Sequence, residues 1–151
     1  MISFDLYGPP IAQKRARHSR VNGHMRTFNP QKTEREQVQW QIKSQFRGEP
    51  LTIPIALDLI FLMPIAESTT NTKKKQMANG LIAHTKKPDL DNLAKFILDA
   101  MNNLVFKDDS QVIEIRMKKI YSTSPGTVIR VIPMASEKRE LLYENCARDF
   151  R

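Results

Sequence analysis

The residues best suited to chemistry in this 151-residue chain lie in two short acidic stretches. The first reads Lys87-Pro88-Asp89-Leu90-Asp91-Asn92-Leu93-Ala94-Lys95, and the second reads Asp108-Asp109-Ser110-Gln111. Several carboxylates with one lysine offer the oxygen ligands that hard divalent cations take, and they leave room for water and a substrate phosphate. The pattern therefore indicates metal-assisted chemistry on a phosphate.

Each of these residues also has an ordinary structural explanation. Asp89 suits the start of a helix, where an aspartate caps free backbone N–H groups, and for this residue alone capping is the more common role. Asp91 and Lys95 have the spacing of an i, i+4 ion pair, and Asp108 with Asp109 would suit a turn. Capping and pairing do not explain why the whole set occurs together beside strongly basic segments.

The net charge of +8 comes from two segments. Residues 6–33 contain six basic residues and no acidic one, and residues 68–88 contain five and no acidic one. The rest of the chain holds 13 basic and 16 acidic residues. Clustered cations gain free energy by releasing counterions from phosphates, so both segments are predicted to bind nucleic acid. The predicted DNA contacts are Lys14, Arg15, Arg17, Arg20, Arg26, Lys73, Lys74, Lys75, Lys86 and Lys87.

The composition excludes several other classes of protein. The single cysteine, Cys146, rules out an intramolecular disulfide, and 40% hydrophobic residues over this length are enough for a buried core. The N-terminus lacks the pattern of a signal peptide, and no stretch reaches the roughly 18 apolar residues of a membrane span. We therefore expect a cytoplasmic protein without membrane contact.

Strands and helices alternate along the chain. Strands are predicted at residues 2–7, 51–62, 111–121 and 127–134, and helices at 29–46 and 89–105. Residues 12–28 and 63–84 show no clear periodicity and are predicted as loops. This order predicts a single α+β domain, residues 1–135, with a mixed sheet packed against helices. A tail, residues 136–151, is predicted to be helical.

The helix at residues 89–105 has a well-determined register. One arc of its surface is apolar and comprises Leu90, Leu93, Ala94, Ile97, Leu98, Met101, Leu104 and Val105. The opposite arc holds Asp91, Asn92, Lys95, Asp99 and Asn102. Asp91 and Lys95 are therefore predicted to face away from the core.

Four further expectations concern single features. The strands at 111–121 and 127–134 are predicted to pair as a hairpin, and Pro54 indicates that part of the strand at 51–62 lies at a sheet edge. Trp40 is expected in the core, with a wedge between DNA bases as the alternative. His84 precedes Asp89 by five residues. We expect it to contact a phosphate or simply to be exposed, rather than to take part in catalysis.

Taken together, the acidic stretches resemble the signature of the RusA-type Holliday-junction resolvases. The resemblance is carried by Lys87-Pro88-Asp89-x-Asp91-Asn92-Leu93-x-Lys95, by Leu98-Asp99-Ala100-Met101 and by Asp108-Asp109-x-Gln111-Val112. The early Pro9-Pro10, followed by a basic loop, is also similar to the N-terminal region of that family. The segment at residues 63–84 and the tail have no counterpart in it.

The resemblance implies a small homodimeric endonuclease that uses Mg²⁺, or alternatively Mn²⁺, to resolve four-way DNA junctions in recombination and repair, leaving 5′-phosphate and 3′-hydroxyl nicks. It implies metal-binding carboxylates at Asp89, Asp91 and Asp109 and an active-site lysine at Lys95, while Asp108 matches a neighbouring acidic position. The strand after Asp109 would then have to return that carboxylate to the first turn of the preceding helix. Two alternatives stay open, a nuclease for other branched DNA such as forks and flaps, and a non-catalytic nucleic-acid-binding module.

Overall fold

The computed structural model describes residues 1–134 except 15, 16, 22, 23 and 29, and it describes residues 17–21 and 24–28 as backbone only. In this part of the chain the strands are β1 (Ile2–Tyr7), β2 (Arg17–Val21), β3 (His24–Phe28), β4 (Ile55–Pro64), β5 (Val112–Ser122) and β6 (Gly126–Pro133). The helices are α1 (Lys32–Gln45), α2 (Asn71–Ala78) and α3 (Leu90–Met101), and a 3₁₀ turn at Asp109–Gln111 precedes β5. The helix predicted at residues 136–151 lies outside the described residues.

Four of the strands form one mixed sheet in the order β1-β6-β4-β5. β6 runs antiparallel to both of its neighbours, β1 and β4, whereas β5 runs parallel to β4. Parallel neighbours need a crossover connection, and here α3 supplies it between β4 and β5. The predicted α+β class with a mixed sheet is confirmed.

The core lies between the sheet and the helices α1 and α3. Alternate residues of β4 from Ile55 to Met63 are buried, as the period-two pattern predicts, while Asp58, Ile60 and Leu62 on the other face are partly exposed. The largest fully buried apolar side chains are Phe4, Phe61, Phe96, Phe106, Ile42, Ile55, Leu57, Leu59, Leu93, Met101 and Ile129. Arg35 of α1 and Asp99 of α3 also form an ion pair of 3.2 Å between the two helices.

Helix α3 has the predicted register but ends earlier than predicted. Its buried residues are Leu93, Ala94, Phe96, Ile97, Ala100 and Met101, so one face packs on the sheet. The helix stops at Met101 because Asn102 is extended and Asn103 adopts a left-handed φ of 59°. Asparagine tolerates this conformation better than most residues, which makes it a common helix terminator.

Two expectations about the sheet are wrong. β5 and β6 do not pair as a hairpin, because β6 inserts between β1 and β4 and thereby buries Ile129 and Val131 completely. Pro54 does not mark a sheet edge either. It precedes the central strand β4, and its carbonyl oxygen accepts a hydrogen bond from the Met134 N–H at 2.9 Å.

Both predicted loops contain regular structure. Residues 12–28 include the antiparallel pair β2–β3, in which Val21 pairs with His24. Residues 63–84 include α2. This helix buries none of its residues, and its sequence has no apolar stripe from which a helix could be predicted. The β2–β3 pair forms a separate two-stranded sheet.

The expectation that Trp40 is buried is also wrong, because its side chain is 72% exposed. Val38 and Ile42 are the buried residues of α1, and Trp40, midway between them in sequence, lies on the opposite side of the helix. Other residues of α1 bind strand β1. Gln41 and Gln45 each accept a hydrogen bond from a β1 N–H and donate one to a β1 carbonyl oxygen.

Candidate active site

The N-terminal end of α3 presents Asp89, Asp91 and, one turn later, Lys95 to solvent. Asp89 occupies the N-cap position, but its side chain makes no capping hydrogen bond. Within the described residues, Lys95 and Asp91 form no ion pair, and neither carboxylate accepts a hydrogen bond. The capping and pairing roles that would make these residues merely structural are therefore not used, and all three side chains are available to a ligand.

Lys119 fixes the segment that leads into this turn. Its Nζ donates hydrogen bonds to the carbonyl oxygens of Lys86, at 2.7 Å, and Pro88, at 2.8 Å. These bonds tie the chain immediately before Asp89 to the far end of β5. Lys119 is a functional residue that was not predicted from the sequence. A signal for it exists, because this lysine follows Ile113, Ile115 and Met117 at alternate positions of one apolar strand face.

The first basic segment reaches the same turn from the other side. The Gln13 N–H donates to the carbonyl oxygen of Asn92 at 2.8 Å. Gln31, which is fully buried, accepts from the Lys14 N–H at 2.6 Å and donates to the carbonyl oxygen of Ala12 at 2.9 Å. Lys14 is exposed and lies next to a residue bonded to α3, so this predicted DNA contact is close to the acidic turn.

The remaining predicted DNA contacts are three groups of basic residues and Arg15. Lys86 and Lys87 are exposed immediately before Pro88, and Lys73, Lys74 and Lys75 lie along α2. Arg17, Arg20 and Arg26 belong to the β2–β3 pair, where only the backbone is described, and Arg15 lies outside the described residues. Their role in DNA binding stays a prediction.

Asp108 and Asp109 lie at the opposite end of α3. The Asp108 carboxylate accepts from the Ser110 N–H at 2.9 Å and caps the 3₁₀ turn, and hydrogen bonds from Ser110 lower the pKa of Asp108. The Gln111 Oε1 accepts a hydrogen bond from the Asp108 N–H, and the Gln111 Nε2 donates to the carbonyl oxygens of Leu51 and Ile53, just before β4. Asp108 thus has a structural role, whereas Asp109 is exposed beside it.

The three predicted metal ligands do not meet within one chain. Helix α3 has 12 residues, which corresponds to a length of about 18 Å. Asp89 and Asp91 lie at its start and Asp109 lies beyond its end. Among the described residues, no group of three or more His, Cys, Asp or Glu side chains is arranged to hold a metal ion. One chain therefore supplies a pair of carboxylates suited to a hard cation and a third that is remote from them.

His84 is not exposed, whereas its contact with a phosphate stays a prediction. Its side chain is 9% exposed, and its ring centroid lies 4.6 Å from that of Tyr121. Burial of the imidazole, with the cationic Lys119 nearby, lowers the pKa of His84, so the ring is neutral at neutral pH. The expectation of an exposed loop histidine is wrong because residues from several segments enclose the ring.

Comparison with known proteins places this arrangement in a family. The sequence profile described as "Endodeoxyribonuclease RusA" matches residues 7–132, which is most of the chain. The chain belongs to the RusA endodeoxyribonuclease family. The match includes both acidic stretches and every strand of the mixed sheet except part of β1 and the last residue of β6. The family resemblance predicted from Lys87 to Val112 is thereby confirmed.

The chain is also similar to a bacterial protein. The chain is 38% identical over 134 residues to the "Uncharacterized protein YqaN" of Bacillus subtilis (strain 168), and the match covers 86% of this chain and 94% of the relative. The name of the family is that of an endodeoxyribonuclease. In the part of the chain that the structure describes, no helix combines the length and apolar character needed to cross a membrane.

Proposed function

We propose that this protein is a structure-specific endonuclease that resolves Holliday junctions by metal-dependent hydrolysis of phosphodiesters, leaving 5′-phosphate and 3′-hydroxyl ends. The observation that carries the proposal is the first turn of α3, where Asp89, Asp91 and Lys95 face solvent without any structural bond in the described chain. The exposed cations Lys14 and Lys86 flank this turn and suit DNA phosphates. Family membership supports the same reaction class.

The position of Asp109 leads us to propose that the working enzyme is a homodimer with sites shared between two copies. Each site would combine Asp89, Asp91 and Lys95 of one copy with Asp109 of the other. Two such sites related by a two-fold axis suit the cutting of two opposed strands of a four-way junction. This arrangement also accounts for the lack of a three-carboxylate group in the described part of a single chain.

The edge strand β5 is the surface that we propose joins the two copies. Ile113 is 47% exposed, Ile115 37% and Met117 43%, which makes an apolar row on the face that β4 buries in the core. The other sheet edge, β1, is occupied by the Gln41 and Gln45 side chains. β5 contacts α2, but in the described part of the chain no strand pairs with its outer edge, and an open apolar edge favours pairing with another strand.

An antiparallel pairing of two β5 strands about Ile115 fits the residues along the strand. Ile113 of one copy then faces Met117 of the other, and Glu114 faces Arg116, a pair of opposite charges. The same register sets Asp109 level with Tyr121 of the second copy. Because Tyr121 follows Lys119, which holds the backbone before Asp89, this pairing directs Asp109 toward the acidic turn of the other chain.

The residues then have distinct roles in hydrolysis. Asp89 and Asp91 of one copy with Asp109 of the other are the proposed ligands of Mg²⁺ or Mn²⁺, and the bound ion supplies water activation and charge neutralisation at the phosphate. Lys95, one helical turn from Asp91, places its ammonium group where negative charge develops on the phosphate oxygens. Lys14, Lys86 and Lys87 hold the neighbouring backbone phosphates. Such an enzyme would act in the cytoplasm, in DNA recombination and repair.

The proposal is tested with Asp91→Asn and Lys95→Ala. Both side chains are exposed, so neither change disturbs the core. We expect cleavage of a synthetic four-way junction with Mg²⁺ to fall by about 100-fold or more, while binding changes by only a few-fold. Matched controls are Glu49→Gln and Lys43→Ala, which alter exposed charges remote from the turn. Full cleavage by Asp91→Asn or Lys95→Ala would remove that residue from the mechanism.

The choice of substrate is tested with a panel of DNA structures. The purified protein is compared on junction, fork, flap and linear duplex of matched sequence, with Mg²⁺ and with a chelator. We expect metal-dependent cleavage with the highest rate on the junction. Faster cleavage of forks or flaps would change the substrate to another branched DNA. Binding without cleavage of any DNA would instead identify a non-catalytic binding module.

A further inference from the structure

A cavity of about 330 Å³ lies beside the candidate active site, and apart from Lys86 and Lys87 its lining residues have no role in the proposed hydrolysis. His84 and Tyr121 form its aromatic wall, and Met77 of α2 lines it from the segment at residues 63–84. Four prolines supply rigid apolar surface: Pro9, Pro10, Pro64 and Pro88. Its volume is within the range of pockets that hold small planar ligands.

The wall of the cavity contains an unsatisfied polar atom. The Nδ1 atom of His84 is buried and has no hydrogen-bond partner on any other described residue. A buried polar atom without a partner costs free energy that a ligand with a matching group can recover. Because the neutral imidazole has one donor and one acceptor nitrogen, it can pair with the polar edge of a heterocycle.

The mouth of the cavity favours a ligand that also carries a phosphate. Lys86 and Lys87 line the cavity and are exposed. Pro88 also lines it and immediately precedes Asp89 in the chain. A nucleotide whose phosphate contacts these lysines therefore has its base within reach of the aromatic wall. Aromatic and apolar walls with a few polar groups are the usual features of sites that hold a base removed from the DNA stack.

We propose that this cavity receives one nucleobase, unstacked from branched DNA, next to the phosphate bound at the first turn of α3. The proposal rests on the proposed function, because it assumes DNA at that turn. It assigns a role to the segment at residues 63–84, whose helix α2 carries Met77 and so completes the cavity. It also gives the polar His84 a reason to be buried among apolar side chains.

The test measures binding of the full chain to four-way junctions without a divalent metal. One base at a time is replaced by an abasic residue around the branch point, and each Kd is compared with that of the intact junction. We expect removal of the base at one position to weaken binding by about tenfold, the size of effect found for one stacked base. Equal Kd values at every position would overturn the proposal.

A pair of matched variants assigns the effect to the cavity. Ala66 lines the cavity and Ala78 does not, and both are exposed, so a tryptophan at either position leaves the core intact. We expect Ala66→Trp to bind intact and abasic junctions equally, because the indole occupies the space of the base. Ala78→Trp should keep the wild-type sensitivity. Full sensitivity in Ala66→Trp would overturn the proposal.

This design separates the cavity from the catalytic function. If the protein cleaves no DNA with Mg²⁺ but one base still contributes to metal-free binding, the proposed function fails and the base site stands. If cleavage of junctions is normal and no base matters, only the base site fails. His84→Leu adds a further check, since it keeps the apolar contact but removes the hydrogen-bonding nitrogens, and it should reduce the sensitivity to the missing base.

Discussion

The proposed sharing of sites between two copies can be tested by mixing two inactive variants. Asp91 and Asp109 lie at opposite ends of α3, a helix about 18 Å long, so one chain cannot use both on the same ion. In a homodimer of Asp91→Asn, each shared site has one altered ligand, and the same holds for Asp109→Asn. A mixed dimer differs, because one site carries both changes and the other site carries neither.

The size of the recovery follows from counting sites. Random exchange between equal amounts of the two variants gives about half mixed dimers, and each of these has one intact site out of two. Nicking of a labelled junction should therefore recover to about a quarter of the wild-type rate. Paired cutting of opposed strands should stay at the level of the single variants, because it requires both sites of one dimer.

The assay mixes separately purified variants, allows the subunits to exchange, and measures nicked and fully resolved junctions with Mg²⁺. Two different affinity tags show that mixed dimers have formed. The control mixture combines Asp91→Asn with Asp89→Asn. Each copy then brings one altered ligand to the site formed by its own α3, so a mixed dimer has no intact site and its nicking rate does not recover. Mixed dimers of Asp91→Asn and Asp109→Asn that show no recovery would refute the shared site.

Three further predictions follow from the same structure. Ile115→Lys should convert the proposed dimer to monomers in sedimentation analysis and abolish junction cleavage, whereas Ile120→Lys, on the other face of β5, should do neither; a dimer in Ile115→Lys would exclude β5 as the interface. Phe106→Ala should lower the free energy of unfolding in urea by about 3–5 kcal/mol, because Phe106 is fully buried, and a loss below about 1 kcal/mol would contradict its place in the core. The pKa of His84 is lowered in the folded state, so the unfolded chain binds a proton first as the pH falls through about 6.5. The Tm of the wild type should therefore fall as the pH falls through this value, and the Tm of His84→Leu should fall less. Equal dependence of Tm on pH in the two proteins would contradict a buried neutral ring.

Sequence periodicity was sufficient to predict the parts of the fold that bury one continuous face. The buried residues of α3 and the alternate residues of β4 belong to the same hydrophobic core, so each pattern reports directly on burial. The same register predicts that Asp91 and Lys95 point to solvent, and both side chains are exposed. This outward-facing half of the candidate site was therefore predictable from one helix alone.

Strand pairing could not be predicted in the same way because it depends on contacts distant in the sequence. β5 alternates apolar residues as a buried strand does, yet Ile113, Ile115 and Met117 are exposed at the sheet edge. β6 follows β5 closely but pairs with β4 and β1. The position of Asp109 has the same origin. Its distance from Asp91 depends on the direction in which the chain leaves α3 and enters β5.

Long-range hydrogen bonds explain why the basic segments and the acidic turn belong to one surface. Gln31 and the Gln13 N–H hold the first segment against Asn92, and Lys119 holds the second against Pro88. Cations are thus fixed on both sides of carboxylates that would otherwise repel DNA. Because backbone atoms accept or donate in each of these bonds, the charged ends of the neighbouring lysines stay free for phosphates. A surface of this kind attracts a polyanion while it keeps acidic ligands exposed, which is the electrostatic condition for cutting DNA with a bound cation.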